Sequence, residues 1–134
     1  MDNVNQKYYD KFCELEAKYD EYFELLCSVE IMSDNKLFEY YRKEKAKLEK
    51  VMSAFKEYKN KNEEFLLSKE LADTETDETQ KQAYLSSSAT LEKETNELFE
   101  KVKEIYFEGG SKEVQKTKIE ISQKQGNGGL VLEL

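Results

Sequence analysis

Histidine, proline and tryptophan are all absent from this 134-residue chain. Without histidine there is no imidazole general base and no imidazole metal ligand. Without proline, and with the first glycine at Gly109, nothing before Glu108 forces a helix to break. The only cysteines, Cys13 and Cys27, would sit about 21 Å apart on one helix at 1.5 Å rise per residue. A disulfide spans roughly 7 Å at most, so they read as reduced residues in the core or at its boundary. Two isolated thiols also do not make a zinc site of ordinary spacing. No hydrophobic run approaches the ~20 residues that cross a bilayer. The opening Met1-Asp2-Asn3-Val4-Asn5 lacks the basic-then-apolar order of a signal peptide. The expected compartment is the cytoplasm, with no membrane partner.

Charged residues make up 37% of the chain and the apolar set 38%, which suits thin helical packing better than a thick globular core. Nine tyrosines and seven phenylalanines supply burial that a disordered chain lacks. A formal charge of −8 disfavours binding to free nucleic acid, although a local basic face remains compatible with it.

The 3/4 spacing of apolar residues predicts three helices. The first runs from about Asn5 to Cys27, with a seam of Tyr8, Phe12, Leu15, Tyr19, Tyr22 and Leu26, widened by Phe23 and Leu25. Ser28-Val29-Glu30-Ile31-Met32 breaks the pattern, and Ser33 or Asp34 is a suitable N-cap for the next helix. That second helix carries Leu37, Tyr41, Leu48, Val51, Phe55, Tyr58 and Phe65, with Glu44 and Asn62 in polar slots, and ends near Leu71 or Ala72. Asp73 to Asp77 forms a turn in which Thr74 or Thr76 caps a third helix, from about Asp77 to Tyr106. Its seam is Tyr84, Leu91, Leu98, Val102 and Ile105, thinned by Ser88 and Thr95.

Gly109-Gly110 ends the third helix. Lys116 to Ser122 then alternates with β-branched residues and reads as a strand, Gln123 to Gly129 as a loop, and Leu130 to Leu134 as a second short strand. The expected fold is therefore mainly α: a three-helix, antiparallel, coiled-coil-like bundle with a short C-terminal β-hairpin. Residues 1–108 make the helical domain, and 109–134 the incomplete start of a second domain.

No residue stands out as catalytic, cofactor-binding or metal-ligating. The carboxylates are interleaved with lysines at helical offsets, as in Glu14–Lys18 and Glu39–Lys43, which suits a solvated charged face. Gly126-Asn127-Gly128-Gly129 lacks the Lys-Ser/Thr pair and following helix of a phosphate loop. Arg42, Lys43, Lys45, Lys47 and Lys50 form the only basic concentration, diluted by Glu39, Glu44 and Glu49. It is either a solvated face or a contact face for RNA or an acidic partner.

Leu15-Glu16-Ala17-Lys18-Tyr19-Asp20-Glu21-Tyr22-Phe23-Glu24-Leu25-Leu26 resembles the opening "LEA…RYEELxxLL" helix of bacterial class I peptide chain release factors. Val29-Glu30-Ile31-Met32-Ser33-Asp34 is similar to their "PEVISD" linker. Phe38, Arg42-Lys43-Glu44, Leu48-Glu49, Val51, Phe55 and Glu57-Tyr58-Lys59 follow the next helix of the family, without a gap from Leu15 to Lys59. The general layout continues to about Phe107. The linker is closer to the factor type that reads UAA and UAG than to its UGA-reading paralogue, which usually carries a tryptophan there.

The C-terminus departs from the family's "EIRAGTGGDEA". Ile119-Glu120-Ile121 and Gly126-Asn127-Gly128-Gly129 look similar, but three residues intervene and Leu130-Val131 replaces the acidic pair. Neither the Gly-Gly-Gln motif of peptidyl-tRNA hydrolysis nor the codon-reading tripeptide loop is present in the 134 residues. The resemblance implies a helical adaptor domain in translation termination, not an enzyme and with no cofactor. Its implied partners are the stalk base of the large ribosomal subunit and the GTPase that recycles the factor. The rival reading is a structural coiled-coil interaction module unrelated to translation.

Overall fold

The computed structural model describes residues 1–130, with side chains described through Gln123. The elements are α1 (Asn3–Leu26), α2 (Val29–Met32), α3 (Asn35–Thr74), α4 (Glu78–Glu108) and α5 (Lys112–Leu130).

Side chains just before the first turns fix where the long helices start. Asp2 accepts from the Asn5 amide at 2.8 Å, and Asp34 accepts from the Lys36 and Leu37 amides, each at 3.1 Å. Such caps satisfy amides that have no partner inside the helix. Asp77 caps α4 by accepting from the Gln80 amide at 3.0 Å, and Ser111 caps α5 by accepting from the Val114 amide at 3.1 Å. The α4 cap is therefore neither Thr74 nor Thr76, and the Thr74 hydroxyl instead donates to the Glu70 carbonyl at the end of α3. Gly110 turns the chain between α4 and α5 with φ of +60°, a left-handed conformation that glycine adopts without strain. The expected break after α1 is real, and α2 fills it with a single helical turn.

The described chain divides into two compact units, one of Met1–Met52 with Tyr106–Leu134 and one of Ser53–Ile105. In the first, α1 runs antiparallel to the start of α3. Tyr19 meets Glu49, and Tyr22 meets Tyr41 with ring centroids 5.9 Å apart. Phe12, fully buried, takes the edge of Tyr106 at 5.5 Å, and Tyr8 takes that of Phe107 at the same distance. The helix α5 packs against α1.

The second unit is an antiparallel helical hairpin. Ascending α3 meets descending α4 through Tyr58 and Phe99, Lys61 and Glu94, then the Ser68 hydroxyl and the Tyr84 carbonyl. Phe55, Tyr58, Phe99 and Val102 are buried there, with Ser88 and Thr95 inside the same stripe.

The expected β-hairpin is not formed. Lys116 to Ser122 is helical, and so is the backbone of the expected loop from Gln123 to Gly129. The expected second strand lies outside the described residues beyond Leu130. No strand occurs among the described residues. Alternation and helical spacing overlap in this segment, because Val114, Thr117 and Ile121 also fall at offsets of three and four. The apolar surface of α1 decides between them, since docking buries Ile121 and leaves Ile119 outside. An isolated hairpin has no such partner and is marginal in water.

Candidate functional site

The five basic residues singled out in the sequence all lie on the first half of α3, within one unit. At 100° per residue they do not share a face, and the structure separates them.

Arg42 turns back one turn to Glu39, its Nη2 lying 2.9 Å from the carboxylate. The hydrogen bond from Arg42 holds the Glu39 carboxyl below its ordinary value. Glu39 therefore pairs with Arg42 rather than with Lys43 four residues on. Lys45 points inward toward α1. Its ammonium sits 4.7 Å from the Tyr19 ring centre and 2.8 Å from Glu49, which also accepts from the Tyr19 hydroxyl at 2.7 Å. Those two hydrogen bonds lower the Glu49 carboxyl, and the bond to Glu49 raises Lys45. Lys45 thus contributes to the packing of α1 on α3 and not to an outer surface.

Lys43, Lys47 and Lys50 remain on the solvent side. Lys47 reaches Glu44 at 2.7 Å yet keeps 70% of its side chain exposed. Lys43 and Lys50 are exposed and make no ion pair with any described residue. Two residues outside the sequence-derived set belong with them. Lys36 and Tyr40 precede Lys43 on the same stripe, both exposed, so that Lys36, Tyr40, Lys43, Lys47 and Lys50 alternate steps of four and three. That spacing was available in the sequence, but it is the period normally searched for in apolar residues alone.

Among the described residues, no group of three or more His, Cys, Asp or Glu side chains could hold a metal ion. An open groove on α4 is lined by Ala89, Glu92, Lys93, Asn96, Glu97 and Glu100. All six come from one helix, so the groove has no second wall to exclude water. Cys13 is half-buried and Cys27 exposed, and both are free thiols. Among the described residues no helix is long and apolar enough to cross a membrane.

Residues 15–130 match the PCRF domain. The chain is 33% identical over 95 residues to peptide chain release factor 1 of Listeria monocytogenes serovar 1/2a. It is 30% identical over 95 residues to the factor of that name from Staphylococcus haemolyticus, and 26% identical to that from Lysinibacillus sphaericus. Each match covers 71% of this chain and 26% of the relative, so the chain spans about a quarter of the length of these relatives. No solved structure matches it. The match over most of the chain, together with the helical architecture, establishes that this protein belongs to the PCRF-domain family, in the N-terminal region of class I peptide chain release factors.

Proposed function

We propose that the chain is a binding domain of translation termination that docks on the ribosome and performs no hydrolysis of its own. The observation that carries this reading is the PCRF match over residues 15–130, shared with relatives named peptide chain release factor 1. Its site of action is cytoplasmic. The stalk base of the large subunit is the docking site, and the GTPase that recycles release factors is the other partner that suits such a domain. Within the domain, the contact face is the outer side of α3 around Lys43, Lys47 and Lys50. Arg42 at its margin and Lys45 beneath it act by holding the helix in place.

The chemistry of the 134 residues supports a non-enzymatic role. Peptide release needs a backbone and side-chain group within hydrogen-bond reach of the attacked ester, orienting water and stabilising the oxyanion. The two Gly-Gly pairs in this sequence are followed by Ser111 and Leu130, neither of which offers a side-chain amide.

Pelleting through a sucrose cushion with purified ribosomes tests the proposal. The chain should co-sediment saturably, and a full-length class I factor should displace it. A chain that stays in the supernatant at micromolar ribosome concentrations would instead favour a coiled-coil module unrelated to translation.

A further inference from the structure

We infer that the outer stripe of α3 is a docking strip for an acidic amphipathic helix of a partner protein. The inference deepens the contact face proposed above and rests on its being a partner surface.

Three observations carry it. First, Lys36, Tyr40, Lys43, Lys47 and Lys50 follow a 4-3-4-3 spacing, which is the period of a helix-on-helix seam. The stripe is about 21 Å long at 1.5 Å per residue, enough for some four turns of a partner helix. Second, the stripe is basic in a chain of formal charge −8, so an acidic partner finds complementary charge here and repulsion over much of the remaining surface. Third, it is not purely polar. Tyr40 is 55% exposed, and Leu37, its neighbour one turn back, is 41% exposed. Exposed apolar side chains beside lysine stems suit a helix presenting leucines flanked by glutamates. An RNA backbone offers phosphates at one edge of such a strip but nothing for Leu37 to bury against.

The lysines are available for pairing. Lys43 and Lys50 make no ion pair with any described residue, and the Lys47–Glu44 pair is an exposed neighbour pair of the kind worth little in water. A partner carboxylate can therefore replace Glu44 at small cost. Docking over one or two apolar side chains and several exposed ion pairs gives a weak, fast-exchanging, salt-sensitive complex.

The test uses the full chain and three fluorescein-labelled probes of equal length. One is a 16-residue helical peptide with leucines at 3/4 spacing among glutamates. Another has the same composition scrambled to remove the stripe, and the last is a single-stranded RNA of mixed sequence. Anisotropy titrations should show the striped peptide binding about tenfold more tightly than either other probe. Lys43→Glu with Lys47→Glu should weaken it by about tenfold or more, and Tyr40→Ser several-fold, with helicity by circular dichroism unchanged. If the double reversal loses helicity, Lys43→Gln with Lys50→Gln carries the comparison, because it leaves the Arg42, Lys45 and Lys47 ion pairs intact. RNA binding as tight as the striped peptide, equal binding of the scrambled peptide, no saturable peptide binding, or indifference to these substitutions would each overturn the inference. The ribosome assay separates the two readings. Pelleting without peptide binding removes the strip alone, and peptide binding without pelleting removes the ribosomal role alone.

Discussion

Tyr58 of α3 and Phe99 of α4 meet with ring centroids 5.0 Å apart, toward the open end of the helical hairpin. Phe55, 1% exposed, stacks on the same tyrosine from one turn below. Phe55→Ala and Phe99→Ala should each destabilise the protein by about 3–5 kcal/mol, the usual cost of emptying a buried aromatic site. Lys56→Ala, one position from Phe55 and exposed, should stay within about 0.5 kcal/mol of neutral. Urea melts of the three variants check this, and equal losses at positions 55 and 56 would place the helix in the wrong register.

Thr95 is 4% exposed, and its hydroxyl has no hydrogen-bond partner among the described residues. A buried donor left unmatched costs free energy that an isosteric methyl does not. Thr95→Val should therefore raise stability by about 1 kcal/mol. A loss of stability on the same denaturant curve would mean that the hydroxyl is satisfied in solution.

Ile121 is 7% exposed and Ile119 55%, although the two are only two positions apart. That contrast belongs to a helix and not to a strand, where both would share a face. Ile121→Asp should speed amide exchange throughout residues 112–122, whereas Ile119→Asp should leave it nearly unchanged. Equal acceleration in both variants would contradict the docking of α5 on α1.

Burial raises the phenols of both Tyr8 and Tyr106 above the ordinary value of 10.0. A group whose folded value lies above its unfolded value binds protons more strongly in the folded state. Its stabilisation is complete below about pH 10 and is lost as pH rises through the folded values. Alkaline titration should show these two tyrosinates appearing together with loss of helicity. Ionisation of both with helicity intact would contradict their burial.

Much of this architecture can be read from spacing. Val51, Phe55 and Tyr58 announce themselves at offsets of three and four, and all are buried. Phe99 does not, because Leu98 beside it continues the seam equally well and the core stripe of a helix is wide enough for both. Phe99 is 2% exposed in the structure and Leu98 half-buried, a choice made by the position of Tyr58 across the hairpin. Leu37 fits the seam but lies exposed near the start of α3. The segment around Ile119 satisfies two periods at once, and only the presence of α1 beside it selects the helix.

The basic face was legible as composition but not as geometry. Arg42 and Lys45 are close in sequence to Lys43 and Lys47, yet they find Glu39 and the Tyr19–Glu49 pair respectively. Those partners depend on side-chain reach and on where α1 lies, neither of which charge counting reports. Tyr40 and Lys36 do not register as charge clustering, because one is aromatic among lysines and the other lies outside the dense run.

The most direct test of a binding rather than catalytic role is peptide release from ribosomes programmed with a stop codon. The chain is titrated from zero upward, with and without a full-length class I factor. Alone it should release peptide no faster than buffer at any stop codon. With the factor present it should slow release as its concentration rises, because the two compete for the ribosome. Codon-dependent release by the chain alone would contradict the account.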